Sequence, residues 1–531
     1  MRMAQRTRCG GHATGAARRR LTARPGGRWE GADRRSPGPS SPSGRRWTGS
    51  EGPPLLTAWR RSRSCSYGTP PGHFGGTDGR SPGSPSGRPR RGSLGSIPCC
   101  FGSDTGAVDK RWLAGLAVAG AAGYAGVALR SRLKQADEYH LDGEALHVGE
   151  PGFLRAAETL TGAPISTGNE IELLINGDRI FPAFLDTIAG AEHTLNLVTY
   201  VYWRGDIAGE VASALCAKAT DGIRVNVLLD AVGTARMDNA LLDQMQRAGV
   251  NVVRFRPPRS YAVRRLTHRT HRRILIADGR VGMTGGVGIA EEWTGDAHDP
   301  DHWRDTHVRV RGPVVRGLQG AFAENWLEAT GDVLAGPDYL PEFRSGDGGG
   351  PMQVVRSAAG VGDTNVEALY FLALASARGT LDLTAGYFVP RVAFVRALCD
   401  AARRGVRVRV LVPGPHVDKE FVRVAGRSTY ADLLDCGVRI WEYQPTMLHA
   451  KTLCVDGVWS SVGSVNFDNR SFRLNDEATL CVQSDAFAAQ LTEQFERDIV
   501  HSEEFPPERW HTRPLRQRAH EQLLRLTHRQ L

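Results

Sequence analysis

Cysteine and histidine are nowhere clustered at the spacing of a metal site. The nine cysteines are scattered. Cys216, Cys399, Cys436, Cys454 and Cys481 stand among apolar neighbours and read as reduced core residues. Cys99 and Cys100 are adjacent, in a segment with little to pack against. A nucleotide-binding loop is also missing, since GGVG at 285–288 has neither the G-x-G-x-x-G nor the G-K-[ST] form. Lysine is absent from residues 1–107, where 19 arginines face five acids for a net of +14. The whole chain carries +10, which leaves residues 108–531 at −4. The basic character therefore belongs to the N-terminal stretch. A mildly acidic body is poorly suited to following a phosphate backbone over a long footprint, and no nucleic-acid partner is expected.

Residues 1–107 are also short of large apolar side chains. Arg, Gly, Ser and Pro cannot bury enough surface to offset chain entropy, so this stretch is expected to be a disordered tail. Such composition is also what GC-rich DNA yields upstream of a start codon, with Val108 a candidate GTG start. Residues 112–129 (WLAGLAVAGAAGYAGVAL) lack charge altogether. At about 1.5 Å per residue a helix of this length just spans a hydrocarbon core of roughly 30 Å. A single-pass membrane anchor over 108–134 is expected, with a signal peptide and a buried helix as the alternatives. Lys110 and Arg111 precede the span and Arg130, Arg132 and Lys134 follow it, which leaves orientation open. The larger cluster after the span places the catalytic body in the cytoplasm, at the cell membrane, if residues 1–107 are absent.

From about residue 135 the chain repeats itself. LNLVTYVYW (195–203) and IRVNVLLD (223–230) are matched by LDLTAGYFV (381–389) and VRVRVLVP (406–413). AGVNVVRF (248–255) is matched by CGVRIWEY (436–443). Each copy then reaches a histidine motif and closes with an amphipathic helix, at 313–329 and 484–500. Alternating β-branched strands and helices predict a duplicated α/β fold. The expected layout is a linker at 135–165, half-domains at 166–345 and 346–512, and a basic tail at 513–531.

THRRILIADGRVGMTGGVG (270–288) and LHAKTLCVDGVWSSVGSVN (448–466) both fit H-x-(K/R)-x4-D-x6-G-(G/S). The catalytic candidates are His271, Arg273 and Asp278 in one copy, and His449, Lys451 and Asp456 in the other. In an extended strand residues i and i+2 face the same way, so each imidazole projects beside a cation. That pairing suits attack on a phosphodiester, the cation holding the phosphoryl oxygens while the ring attacks phosphorus. The Asp-Gly pair turns the chain, and Gly285, Gly286 and Ser464 allow close approach to a ligand. Asn466 can donate to a phosphoryl oxygen. Asp305 and Glu477 each begin a strand near the histidine of their own copy, where a carboxylate can fix the ring tautomer. His268, His298 and His307 have no repeat partner and read as structural.

The paired motifs resemble the HKD signature of the phospholipase D superfamily. The framing stretches NGDRIFPAFLDTI (176–188), TGGVGIAEEW (284–293), QPTMLHAKTLCVDG (444–457) and NFDNRSFRLNDE (466–477) resemble its bacterial cardiolipin synthase branch. The resemblance covers roughly residues 166–505. It implies one active site shared by two α/β/α halves, a covalent phosphohistidine and no metal or other cofactor. It also implies His271 as nucleophile, His449 as general acid and base, and phospholipid substrates such as phosphatidylglycerol. Two departures stand out: Arg273 replaces the pattern's Lys, and Gly288 stands where the second copy has Asn466. The expected activity is phosphatidyl transfer between glycerophospholipids. Hydrolysis to phosphatidic acid, nuclease action and an inactive lipid-binding scaffold are the alternatives. Trp293, Trp303, Trp459, Phe467 and Phe472 are candidates either for an acyl groove or for the core.

Overall fold

Two sheets of matching strand order carry the repeat. The computed structural model describes residues 139–258, 267–343, 349–359 and 363–508. The Arg-rich stretch, the expected span at 112–129 and the basic tail at 513–531 lie outside these. Among the described residues no helix is long and apolar enough to cross a membrane.

After α1 (Pro151–Thr161), the first half comprises β1 (Glu170–Ile175), α2 (Gly177–Ala189), β2 (Thr194–Thr199), α3 (Asp206–Thr220), β3 (Arg224–Asp230), α4 (Asn239–Arg247), β4 (Asn251–Phe255), β5 (Arg269–Thr270), β6 (Ile274–Ala277), β7 (Val281–Gly285), β8 (Thr306–Arg311) and α5 (Val315–Thr330). The second comprises β9 (Met352–Ser357), α6 (Asn365–Ser376), β10 (Thr380–Ala385), β11 (Phe388–Val389), α7 (Val392–Arg403), β12 (Arg407–Pro413), α8 (Glu420–Arg427), α9 (Tyr430–Asp435), β13 (Arg439–Tyr443), β14 (Lys451–Val455), β15 (Trp459–Gly463), β16 (Phe467–Asp468), α10 (Asn469–Arg473), β17 (Asn475–Gln483), α11 (Asp485–Val500) and β18 (Ser502–Glu504).

The first sheet runs β1-β8-β7-β6-β2-β3-β4, and the second runs β9-β17-β15-β14-β10-β12-β13 with β18 at its edge. In each, three parallel strands adjoin an antiparallel set. Central strands such as β3 and β12 are buried on both faces, which is why they read as unbroken apolar runs. Val198, Ile274, Val308 and Phe322 of the first half share one apolar cluster with Val354, Val462, Leu480 and Phe487 of the second. Burial of each such side chain contributes about 1.5–3 kcal/mol, so the docked halves are stabilised together.

Two short crossings stitch the halves. β5 leaves its own sheet and pairs in parallel with Asn475 and Asp476 of β17. In return, Arg304 bridges Leu448 in parallel. Each crossing lies directly before a motif histidine.

The expected linker contains a helix. Phe153 of α1 is buried edge-on against Trp459 at 5.8 Å, and Gln483 donates to the Val148 carbonyl at 2.7 Å. A second correction concerns cysteine. Cys399 on α7 and Cys436 after α9 form a disulfide, with Cα atoms 5.4 Å apart. Packing of α7 against α9 turns the two toward each other across 37 residues of sequence. Cys216, Cys454 and Cys481 are free and buried, as expected.

Candidate active site

The two crossings exchange carboxylates between the halves. His271 reaches its position by donating its backbone N–H to the Asp476 carbonyl at 2.9 Å. Its Nδ1 then lies 2.9 Å from Oε1 of Glu477, in the second half. His449 donates its backbone N–H to the Arg304 carbonyl at 2.8 Å. Its Nδ1 lies 2.8 Å from Oδ2 of Asp305, in the first half. Each carboxylate thus orients the histidine of the other copy. The expectation that each serves its own copy is corrected by the parallel pairing at the crossings. Arg304 fixes one crossing further through a buried two-pronged ion pair to Asp498, at 3.0 and 2.8 Å.

Tautomers follow from the partners. Arg273 has only donors, and its Nη2 lies 3.0 Å from His271 Nε2. Nε2 must therefore accept, which leaves the ring proton on Nδ1 for Glu477. A second Arg273 nitrogen donates to the His271 carbonyl at 2.8 Å, while its buried Nε has no partner among the described residues. Lys451 Nζ donates to the His449 carbonyl. Both cations act on both rings. Burial, then Arg273 and Lys451, hold His271 well below the usual imidazole range. Burial, then Lys451, with a contribution from Arg273, pushes His449 down to about 3 against the pull of Asp305. Burial also brings Lys451 down to about 7. Both imidazoles are therefore held toward the neutral form beside two buried basic side chains.

The carboxylates differ. Burial raises Glu477 to about 7, although the Ser464 hydroxyl donates to it and Asn475 does so at 3.2 Å. Burial works against Asp305 too, but His449, Lys451 and the Thr306 N–H outweigh it and hold the group below the ordinary carboxylate range. The Trp293 indole N–H donates to Asp305 Oδ2 at 2.9 Å. Gly286 occupies the place of Ser464 because a Cβ there would sit 2.1 Å from Asp305 Oδ1. A Cβ at Gly285 would lie 2.4 Å from His307 Nδ1 and 2.5 Å from the Thr306 carbonyl oxygen. Asn466 is buried, and its Oδ1 has no partner among the described residues.

Asp278 and Asp456 are not brought to the imidazoles. Each lies seven residues farther along an extended chain, on the order of 20 Å away. Asp278 accepts from the backbone N–H groups of Glu192, His193 and Thr194 at 2.9, 2.7 and 2.8 Å. Asp456 accepts from Arg378, Gly379 and Thr380 at 2.9, 2.7 and 2.8 Å. Both sit at positive φ, 55° and 54°, in the turn after the motif strand. They staple that turn to the start of β2 or β10. Asp278→Ala is expected to cost about 3 kcal/mol by orphaning three amides, read as a lower unfolding midpoint with kcat per folded molecule unchanged.

Two neighbours escaped the sequence reading. The Tyr200 ring lies 5.1 Å from His271, and the Tyr387 ring 6.1 Å from His449, with its hydroxyl donating to Asp418 at 2.6–2.7 Å. Both follow the carboxyl end of the first parallel strand of their copy, β2 or β10, where ligands of α/β sheets gather, and that position was the available signal. Of the aromatic candidates for a groove, Trp459, Phe467 and Phe472 belong to the core. Trp293 is buried, and Trp303 is half-buried 5.6 Å from His449. His307 is buried behind Gly285, and His298 is exposed and paired with Asp296.

Residues 184–299 and 370–499 match the family described as cardiolipin synthase, PLD-like domain. A cardiolipin synthase of Geobacillus kaustophilus is 35% identical over 376 residues, which cover 70% of this chain and 75% of that protein. The chain belongs to this cardiolipin synthase, PLD-like family. Cardiolipin synthase 2 of Bacillus anthracis is 34% identical over 382 residues, 72% of this chain and 74% of that one. In fold, the chain is similar to the crystal structure of phosphatidylserine synthase from Haemophilus influenzae Rd KW20. The TM-score is 0.55 at 14% identity, covering 71% of this chain and all of that one. The cardiolipin synthase match touches both halves and both histidine motifs. The departure at Gly288 has a steric cause: a Cβ there would lie 2.7 Å from Val201 and 3.1 Å from the Trp293 ring. Val201 and the indole that serves Asp305 thus leave no room for a side chain at 288.

Proposed function

We propose that this phospholipase D-type phosphatidyltransferase joins two glycerophospholipids in the manner of a cardiolipin synthase, with phosphatidylglycerol as donor and acceptor. The crosswise pair of histidine–carboxylate dyads carries the reading, because it supports two imidazoles of fixed tautomer acting on one phosphorus. In this reading His271 Nε2 attacks the donor phosphorus, and Arg273, Lys451 and Asn466 hold the phosphoryl oxygens. His449 gives a proton to the departing glycerol. The second transfer reverses these roles, with His449 taking the acceptor's proton.

Burial and Lys451 hold His449 toward its neutral form, so in this reading substrate binding supplies the acid form. A phosphodiester anion between Arg273 and Lys451 offsets the charges that depress both rings and raises their proton affinity. The uncharged stretch at 112–129 supports a membrane-held enzyme, and the basic cluster at Arg130, Arg132 and Lys134 supports a body in the cytoplasm. Incubation with phosphatidylglycerol micelles tests the function: cardiolipin and glycerol are expected. Phosphatidic acid as the sole lipid product would replace the reading with hydrolysis.

A further inference from the structure

We infer that the pocket lined by Trp203, Arg204, Arg236 and Glu292 holds the glycerophosphate headgroup of the acceptor lipid. This rests on the transfer reading above and gives its second substrate a place.

The pocket is open and about 390 Å³ in volume. Its base is Trp203, whose indole N–H donates to the Gly233 carbonyl at 2.8 Å and whose backbone N–H donates to the Ile289 carbonyl at 2.9 Å. The Arg236 guanidinium lies 4.6 Å over its ring. Trp203 is 6.0 Å from Trp293, which is 5.3 Å from His449. Half-buried Trp303 packs 4.4 Å from Trp293 and 5.6 Å from His449. Aromatic rings therefore connect the acid–base histidine with the pocket.

Arg256, Arg304 and Arg409 each pair with an acid, Glu328, Asp498 and Asp382 respectively. Among the described residues Arg204 and Arg236 form no salt bridge, although Glu292 lines the same pocket. The neighbouring Glu291 is already engaged, accepting from the Ile207 N–H at 2.8 Å. Two cations and a carboxylate held apart around an indole suit a ligand that carries an anion and hydroxyls together. Guanidinium takes the phosphodiester, Glu292 accepts from a glycerol hydroxyl, and the indole faces the C–H edges. The terminal hydroxyl then extends over Trp303 to His449. Its oxygen bonds to the phosphorus of phosphatidyl-His271, the P–Nε2 bond breaks, and the proton passes to His449.

The test is product partition from that shared intermediate. Full-length enzyme receives phosphatidylglycerol micelles containing 1-butanol, and cardiolipin and phosphatidylbutanol are quantified. The Arg204→Gln/Arg236→Gln double variant is expected to lower the cardiolipin-to-phosphatidylbutanol ratio about tenfold, roughly one charge-assisted contact. Arg403→Gln, which removes an exposed charge paired with Asp400, reports loss of surface charge alone and is expected to leave the ratio unchanged. Phosphatidylbutanol from the double variant shows that it folds and forms the intermediate. An unchanged ratio, or equal loss of both products, overturns the acceptor site. Wild type that yields phosphatidylbutanol but no cardiolipin overturns the parent reading and this inference with it.

Discussion

His271→Ala and His449→Ala are each expected to lose about four to six orders of magnitude in turnover, the scale seen when one member of a nucleophile–base unit is removed. They should fail at different points. A nitrophenyl phosphodiester separates them, because nitrophenolate departs without a proton. His449→Ala should release about one equivalent of nitrophenol per active site and then stall as a phosphorylated protein. His271→Ala should release none. A burst from His271→Ala with label on His449 reverses the assignment. Full activity in either variant removes the shared-site mechanism.

The carboxylates should give the next largest losses, and their pattern tests the exchange between halves. Asp305→Asn and Glu477→Gln are each expected to lower kcat about 10²–10⁴-fold, since the amide no longer stabilises a charged imidazole or fixes its tautomer. Asp305 serves His449, so Asp305→Asn should impair phosphatidylglycerol far more than the nitrophenyl diester. Glu477 serves His271, so Glu477→Gln should impair the burst on both. If each carboxylate instead assisted its own copy's histidine, the two patterns would trade places. The pH profile adds a signed check. Lys451, at about 7 in the free enzyme, loses its charge as pH rises through that value, so kcat/KM should fall on the basic side. Lys451→Arg stays charged throughout and should lose that limb. Glu477, also at about 7, is protonated below it and gives the acid limb, which Glu477→Gln should remove. The two groups interact, so the limbs report the pair.

The duplication was legible because matching motifs recur within matching strands, and the observed sheets repeat one strand order. The histidines, the cations and even the distant carboxylates could be picked out by aligning the copies. What alignment could not give was which carboxylate faces which ring. Asp305 and Glu477 are nearer in sequence to the histidine of their own copy, and only the crossings at β5 and Arg304 reverse the pairing. Local pattern likewise could not separate a catalytic aspartate from a turn staple. Asp278 and Asp456 share the repeat of the histidines, yet their carboxylates close three backbone amides each. Tyr200 and Tyr387 look in sequence like ordinary strand-end aromatics. The Cys399–Cys436 bond depends on how two helices pack, which spacing does not encode.

Exchange of carboxylates also has a bearing on synthesis. A nascent chain that already contains His271 still lacks Glu477, which follows 206 residues later. The dyad can close only when almost the entire polypeptide has been made and its two halves have docked, so truncated translation products hold His271 without the carboxylate that orients it.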